Sequence, residues 1–457
     1  MPAKPLNTTE VSIQKSPAEA SDEDSLLSLS KVEYATLFAT FAGWALDGMN
    51  VMIFSFVIPT LISLWGLTRG QAGLLGTTAL VVSACGGWLA GVAADRYGRV
   101  KILQVTILWF AVFAFLSGFT NSYSQLMIVR ALQGLGFGGE WAVGSVLIGE
   151  TIRAQHRGKA VGIVQSGWAI GWGLAALSYA VVFSLFGPAT AWRVMFWIGL
   201  MPALLVFYIQ KHVPEPAVFR NSGAARLAPG SLRRALEIFS PQMLRITLMA
   251  ALLAVGVQGG YYAITTWLPL LLQTGQGLSV LHTGGYLSMV IVGSFLGYLT
   301  AAWLADVLGR RRTLILFAAL SFVTVLTYTS LLAGHSAVFV LGFPLGFFSS
   351  GSFSPIGAFL TELFPTSMRG SGQGFAYNLG RGIGALLPAL VGYLGAKLSL
   401  GGAIAWFAGG AYLSVDDPGS AGAAGDKGQR TIELGVPEPL GAIIICQNLE
   451  TQSHCSQ

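Results

Sequence analysis

Two acids and two arginines stand inside apolar stretches of this 457-residue chain: Asp47, Glu140, Arg130 and Arg381. A charge at the centre of a membrane helix costs about 2.5–3.5 kcal/mol or more against lipid. Four of them imply a polar cavity shielded by protein. Their chemistries are complementary. A buried carboxyl can load and release a proton as its surroundings change, and an arginine can hold a carboxylate with two parallel hydrogen bonds. Arg381 is the most informative of the four. It lies about eleven residues into its apolar stretch, roughly 16 Å deep. The acids of its half of the chain, Asp306 and Glu362, sit at stretch ends. Arg381 therefore needs an anion from elsewhere, and a substrate carboxylate suits its planar fork. Asn378 is one turn earlier. Tyr377, Gln258, Tyr261 and Trp168, with Phe375, Tyr262 and Trp172, are candidates to complete an amphipathic pocket. Asp47 is the candidate proton carrier, pairing alternately with Arg130, and Glu140 is the candidate relay. The plainer alternative makes Asp47 and Arg130 a structural pair joining the two apolar stretches that carry them.

The elements that position these residues are membrane helices. Hydrophobic residues make up 53% of the chain and charged residues 10%, against roughly 25% charged in soluble domains. Apolar stretches long enough to cross a ~30 Å hydrocarbon layer are expected over 34–64, 72–94, 101–120, 123–150, 158–187 and 191–210. A second set follows over 242–274, 281–306, 312–333, 335–362 and 370–397, with a last stretch opening near 401. Glycines four apart (Gly134/Gly138, Gly167/Gly171, Gly380/Gly384) are expected to let helices approach closely.

The two sets share a layout. Glu150…Arg157-Gly158 recurs as Glu362…Arg369-Gly370, at an offset of 212 residues. Gly91-Val-Ala-Ala-Asp95-Arg96-Tyr-Gly98-Arg99 is echoed by Ala302-Trp-Leu-Ala-Asp306-Val-Leu-Gly309-Arg310 at 211, and Pro59 by Pro269 at 210. A duplicated membrane bundle follows, of the kind from which two-lobed rocking carriers are built. The expected organisation is an N-terminal tail (1–33), a six-helix bundle (34–210), a linker (211–241), a second bundle (242–415) and an irregular end (416–457). Lys and Arg crowd one set of loops, as at Arg96, Arg99, Lys101, Arg153, Arg157, Lys159, Lys211 and Arg310 to Arg312. Arg69, Arg193 and Lys397 are those of the opposite loops. The positive-inside rule then puts the N-terminus in the cytoplasm of a multi-pass inner-membrane protein. That bias also accounts for the net charge of +6, so no nucleic-acid partner is implied.

Gly91-x-x-x-Asp95-Arg96-x-Gly98-Arg99 resembles the loop 2–3 signature of the major facilitator superfamily. Arg130-x-x-Gln133-Gly134-x-Gly136 resembles its helix-4 signature, and the repeated Glu/Arg-Gly elements resemble those of loops 4–5 and 10–11. The resemblance spans about residues 34 to 413. It implies an all-α membrane fold of two pseudo-symmetric six-helix bundles. Trp44-Ala-Leu-Asp47-Gly48-Met-Asn50 resembles the helix-1 motif of organic-acid/proton symporters, except that Asn50 replaces an acid and cannot take a proton. Gly138-Gly139-Glu140-Trp141, Gln165-Ser166-Gly-Trp168-Ala-Ile-Gly171 and Val213-Pro214-Glu215-Pro216 resemble the sialate, lactate and pyruvate branch. Tyr377-Asn378-Leu-Gly380-Arg381 resembles helix 11 of both.

What this implies is a monomeric secondary transporter importing a small organic anion with protons, without a cofactor. The alternatives are a non-transporting sensor of the same fold, or a uniporter or antiporter of organic anions. Asp95, Arg96, Arg99, Glu150 and Arg157, with Asp306, Arg310, Glu362 and Arg369, are the expected inner gate, pairing across the lobes. Cys85, Cys446 and Cys455 form no disulfide framework or metal motif, and no P-loop offers ATP as an energy source. The last stretch halts at Asp416-Asp417-Pro418. Helix 12 is therefore expected to be atypical or truncated, with a frameshifted end.

Overall fold

The computed structural model describes residues 29–153, 156–216, 219, 237–278, 280–330, 335–365 and 369–413. Residues 1–28, most of the expected linker and the irregular end from 416 lie outside this set. The first bundle holds α1 (Lys31–Trp65), α2 (Arg69–Tyr97), α3 (Arg99–Ser117), α4 (Tyr123–Thr151), α5 (Arg157–Leu185) and α6, in two segments, Pro188–Ile198 and Pro202–His212. The second holds α7 (Pro241–Gln276), α8 (Val280–Val307), α9 (Arg310–Ser330), α10 (His335–Gly351 and Phe353–Leu363), α11 (Arg369–Gly384 and Leu386–Leu394) and α12. In α12 a π-helical turn, Ala405–Gly409, sits between Leu400–Ile404 and Gly410–Leu413. Each span expected from the sequence has its helix. Nine helices among the described residues are long and apolar enough to cross a membrane by themselves; α4 and α11, which carry Arg130, Glu140 and Arg381, are not among those nine.

Local chemistry explains the ends and the breaks. Ser30 with Glu33, and Thr68 with Gln71, form capping boxes that open α1 and α2. The breaks in α6, α10 and α11 each precede a proline within the first three residues of the second segment: Pro202, Pro355 and Pro388. Proline has no N–H to donate back, so the ladder lapses there. At the α6 break the Asn50 side chain donates to the freed Gly199 carbonyl (3.3 Å). The asparagine that replaces an acid in the helix-1 motif thus has a structural partner.

Small residues set the helix pairs, and the pairs repeat. On α4, Gly134 and Gly138 lie against the Ala79 and Ser83 carbonyls of α2. On α8, Gly293 and Gly297 lie against the Phe343 and Phe347 carbonyls of α10. Gly167 and Gly171 bring α5 onto α1 at Phe41 and Ala45, as Gly380 and Gly384 bring α11 onto α7 at Ala254 and Gly259. A Cβ at Gly138 would overlap a carbonyl, whereas one at Gly149 on the same helix meets nothing within 4 Å. Gly138→Ala is therefore expected to destabilise by about 1–3 kcal/mol, and Gly149→Ala to stay within about 0.5 kcal/mol. Thermal unfolding of the two variants in one detergent checks this; equal midpoints would refute the packing argument.

The repeated signature has a backbone reason. Gly98 (φ +114°) and Gly309 (φ +89°) take conformations closed to L side chains, at the corners between α2 and α3 and between α8 and α9. Glu215, just after α6, accepts the N-terminal amides of α3 from Arg99 (3.0 Å), Val100 (2.9 Å) and Lys101 (3.2 Å). A carboxylate there satisfies orphan donors at the positive end of the helix.

The bundles meet along α2–α11, α5–α8 and α1–α7. At the end opposite the basic loops, Arg69 Nη1 donates to the Gly395 carbonyl (2.8 Å) and Thr77 to the Ala385 carbonyl (2.6 Å). Gln273 reaches the Tyr179 hydroxyl (3.1 Å). Nearer the basic end, Gln165 donates to the Phe353 carbonyl (3.3 Å). Arg193, on the sparsely charged side, holds the α3–α4 corner through the Gly118 and Thr120 carbonyls (2.8 Å each).

Candidate functional site

Asp47 is fully buried midway along α1. Gly43, one turn earlier, leaves the space that the Glu140 carboxyl of α4 fills; a Cβ there would strike Glu140 Oε1. The two carboxyls are close neighbours. Neither Asp47 oxygen has a donor among the described residues. Two ionised carboxylates in contact and out of water repel each other, and a single proton between them turns that repulsion into a hydrogen bond.

Arg130 does not join them. Its Nη1 donates to Gln133 Oε1 (2.8 Å), and its guanidinium lies over the Phe54 ring at 4.2 Å. The expected Asp47–Arg130 pair is therefore corrected. Arg130 and Glu140 are ten residues apart, about 15 Å along α4, and the one that reaches Asp47 is Glu140. The cation that lies near Asp47 comes from the other bundle: Arg381.

Arg381 is completely buried. Its guanidinium lies over the Phe137 ring (5.0 Å) and the Tyr377 ring (5.2 Å). None of its three nitrogens has a hydrogen-bond partner among the described residues. Aromatic side chains wall the space between the bundles. Trp44 packs on Trp141 (4.6 Å) and Trp168 (4.9 Å), and Trp141 on Tyr377 (6.2 Å). Trp168 Nε1 donates to the Tyr261 hydroxyl (2.7 Å), linking α5 to α7. Trp44, Phe137 and Trp141 are absent from the sequence-derived set. Their spacing carried the signal: Trp44 is a turn before Asp47, and Phe137 and Trp141 flank Glu140 four residues apart.

Other candidates serve the frame. Gln258 donates to the Tyr377 carbonyl (2.9 Å) and ties α7 to α11. Asn378 turns away from Arg381: its amide donates to the Gly374 carbonyl (2.9 Å) and its oxygen lies against Gly87 of α2. Three residues apart on a helix differ by about 60° around the axis, enough to aim one at the pocket and the other at a neighbouring helix. Phe375 packs on Phe239.

The repeated signatures form ion pairs within each bundle. Arg99 holds Glu150 bidentately (3.0 Å for both bonds), and its counterpart Arg310 holds Glu362 (3.2 Å) and Asp306 (3.6 Å). The arginine of the first signature thus pairs with the glutamate of the second, once in each half. This departs from the expected pairing across the lobes. The paired helix ends are neighbours inside one bundle. Arg96 is exposed and lies over the Tyr97 ring. The side chains of Asp95, Arg157 and Arg369 lie outside the described set. Among the described residues no cluster of three metal-ligating side chains occurs.

Paired bundles, repeated signatures and a charged midplane find their match in one family model. The model described as Major Facilitator Superfamily matches residues 40–388 and 287–415. The chain belongs to the Major Facilitator Superfamily. It is a multi-pass membrane transporter and no enzyme. It is 44% identical over 375 residues to a protein of Cupriavidus pinatubonensis named "Probable 4-methylmuconolactone transporter", covering 81% of this chain and 86% of that one. It is 31% identical to the cis,cis-muconate transport protein of Acinetobacter baylyi, with 80% and 88% covered. Among solved structures, a D-xylose-proton symporter superposes with a TM-score of 0.67 at 20% identity, over 84% of this chain and 96% of that one. At that identity the likeness concerns the fold of this facilitator alone.

Proposed function

We propose that this facilitator imports a small organic anion bearing a carboxylate, together with protons, by alternating access. The observation that carries the reading is Arg381: a buried guanidinium with no hydrogen-bond partner among the described residues, stacked on aromatic rings, with Asp47 of the other bundle nearby. With both acids ionised, their charge occupies Arg381 and repels an incoming anion. Protonation of the Asp47–Glu140 pair lowers that competition, and the substrate carboxylate takes the fork. Binding the proton and the anion together keeps the buried charge balanced, which lowers the cost of closing the bundles over them. Relatives named for transport of muconate, niacin, gallate and sialic acid support the organic-acid class. The excess of Lys and Arg in one set of loops supports a cytoplasmic N-terminus in an inner membrane, and the reading takes the carrier as a monomer. The intrabundle pairs Arg99–Glu150 and Arg310–Glu362 brace each lobe so that it rocks as a body.

Uptake of a carboxylate panel into proteoliposomes, with and without an inward proton gradient, tests the reading. Accumulation of at least one planar carboxylate is expected only with the gradient. Equal uptake without it would leave a uniporter, and no uptake of any carboxylate would overturn the substrate class.

A further inference from the structure

Glu140 adjoins more than Asp47. It lines a small cavity with Thr40 and Trp44 of α1, Leu103 of α3, Gly144 of α4 and Val164 of α5. All of these belong to the first bundle, so the cavity lies inside one lobe. About 10 Å³ of it is open to the centre of a water molecule, which is room for about one. Two of its lining residues have a buried polar atom with no hydrogen-bond partner among the described residues: Glu140 Oε2 and Trp44 Nε1. Thr40 brings a third polar atom. Its hydroxyl donates to the Thr36 and Leu37 carbonyls (2.8 and 3.1 Å), which leaves the oxygen free to accept. A carboxyl, an indole N–H and a hydroxyl oxygen around a one-water space supply the two to four partners that a buried water needs. Leaving the first two unpaired in the interior is costly, and one water relieves both.

Thr40 also belongs to a polar stripe. Glu33, Thr36, Thr40, Trp44 and Asp47 follow one another at steps of three and four residues, on one face of α1. Thr36 is buried, and its Oγ1 has no hydrogen-bond partner among the described residues. Glu33 stands in the first turn, at the end of the bundle that carries the basic loops, where Arg153 pairs with it (3.0 Å). The charged neighbour of Glu140 is Asp47, with Arg381 near Asp47. The residues that α3 and α5 bring to the cavity, Leu103 and Val164, are apolar.

We propose that this cavity is a one-water site, and that Glu140 exchanges its proton with the basic-loop end of the first bundle through that water, Thr40 and Thr36. This rests on the proton-coupled reading above. It gives the proton an exit inside one lobe, apart from the space between the lobes that the substrate takes. In the transfer, the Glu140 carboxyl gives its proton to the water, the water gives one of its own to Thr40 Oγ1, and Thr40 passes its hydroxyl proton toward Thr36 and the solvent at the helix end. One proton moves, Glu140 is left ionised, and the water and hydroxyls end as they began. Trp44 transfers nothing; its N–H holds the water oxygen in place.

The test needs no transported substrate. A protonated buried carboxyl has an infrared C=O band that shifts when deuterium replaces its proton, and the rate of that shift after a change to D2O measures proton access. The band is read on the full chain in lipid vesicles, at a pH where it is present, and loss of the band in Glu140→Gln identifies it. Thr40→Val keeps the methyl that packs on Gly144 and removes the hydroxyl. Gly144→Ala keeps every polar group and adds a methyl beside Thr40 at ordinary contact distance (3.7 Å), taking the room of the water. Each is expected to slow the exchange roughly tenfold or more. Thr40→Ser should restore it, and Gly149→Ala, whose Cβ meets nothing within 4 Å, should leave it unchanged. Should one of the slowing variants fail to fold, the other carries the test. Unslowed exchange in Thr40→Val or Gly144→Ala would overturn the route, and so would a spectrum in which Glu140→Gln removes no band. Failure of the underlying reading looks different: uptake by the unmodified protein that ignores the proton gradient would remove the coupling that the route serves, whatever the exchange rates.

Discussion

Arg381→Lys should weaken substrate binding by roughly 100-fold, about 2.8 kcal/mol at 1.4 kcal/mol per tenfold. The substitution keeps the positive charge, so a purely electrostatic role would survive it. What it removes is geometric. A lysine ammonium is a point charge and cannot grip a carboxylate with two parallel hydrogen bonds. It also gives up the flat stacking of the guanidinium on Phe137 and Tyr377. Folding should be affected less, since the guanidinium makes no hydrogen bond to the described protein that the ammonium would lose. Equilibrium binding of a transported carboxylate, alongside a thermal-unfolding control, separates the two effects. Near-normal affinity in the lysine variant would remove Arg381 from the substrate contact.

Asp47→Asn should abolish accumulation driven by a proton gradient, at least tenfold, while substrate counterflow continues. The reason is the pairing with Glu140. An asparagine amide can donate permanently to the Glu140 carboxylate, so the contact no longer depends on a proton. The site is then locked in the state that protonation normally confers, and the coupling is lost without loss of exchange. Asn50 cannot substitute, because it does not titrate and its amide is engaged with Gly199. Counterflow and gradient-driven uptake measured on the same proteoliposomes give the answer. Accumulation that survives in Asp47→Asn would move the coupling to Glu140.

Much of this molecule was legible in one dimension. The repeats at offsets of 210 to 212 residues, the apolar stretches and the loop charges define a duplicated membrane bundle. Burial in lipid demands long helices with few charges, so the exceptions stand out. Asp47, Glu140, Arg130 and Arg381 were identifiable for that reason alone. The glycine pairs were legible as well, because spacing by four fixes one face of a helix whatever lies opposite. So was the glycine of the loop signature, whose positive φ at Gly98 and Gly309 is a local property of the chain.

The choice of partners was not legible. A sequence fixes the depth of a residue along its own helix and its angle around that helix. It does not fix how neighbouring helices are rotated against it. That rotation set Arg130 over the Phe54 ring, placed Glu140 against Asp47, and brought Arg381 close to Asp47 from 334 positions away. It likewise paired Arg99 with Glu150 and Arg310 with Glu362 inside each bundle, where spacing alone allowed pairing across them. Asn378 shares a turn with Arg381, yet the approach of α2 at Gly87 decides where its amide goes. In a bundle held by carbonyl-to-glycine contacts, a fraction of a turn changes which side chains meet. Only the packed structure decides that fraction.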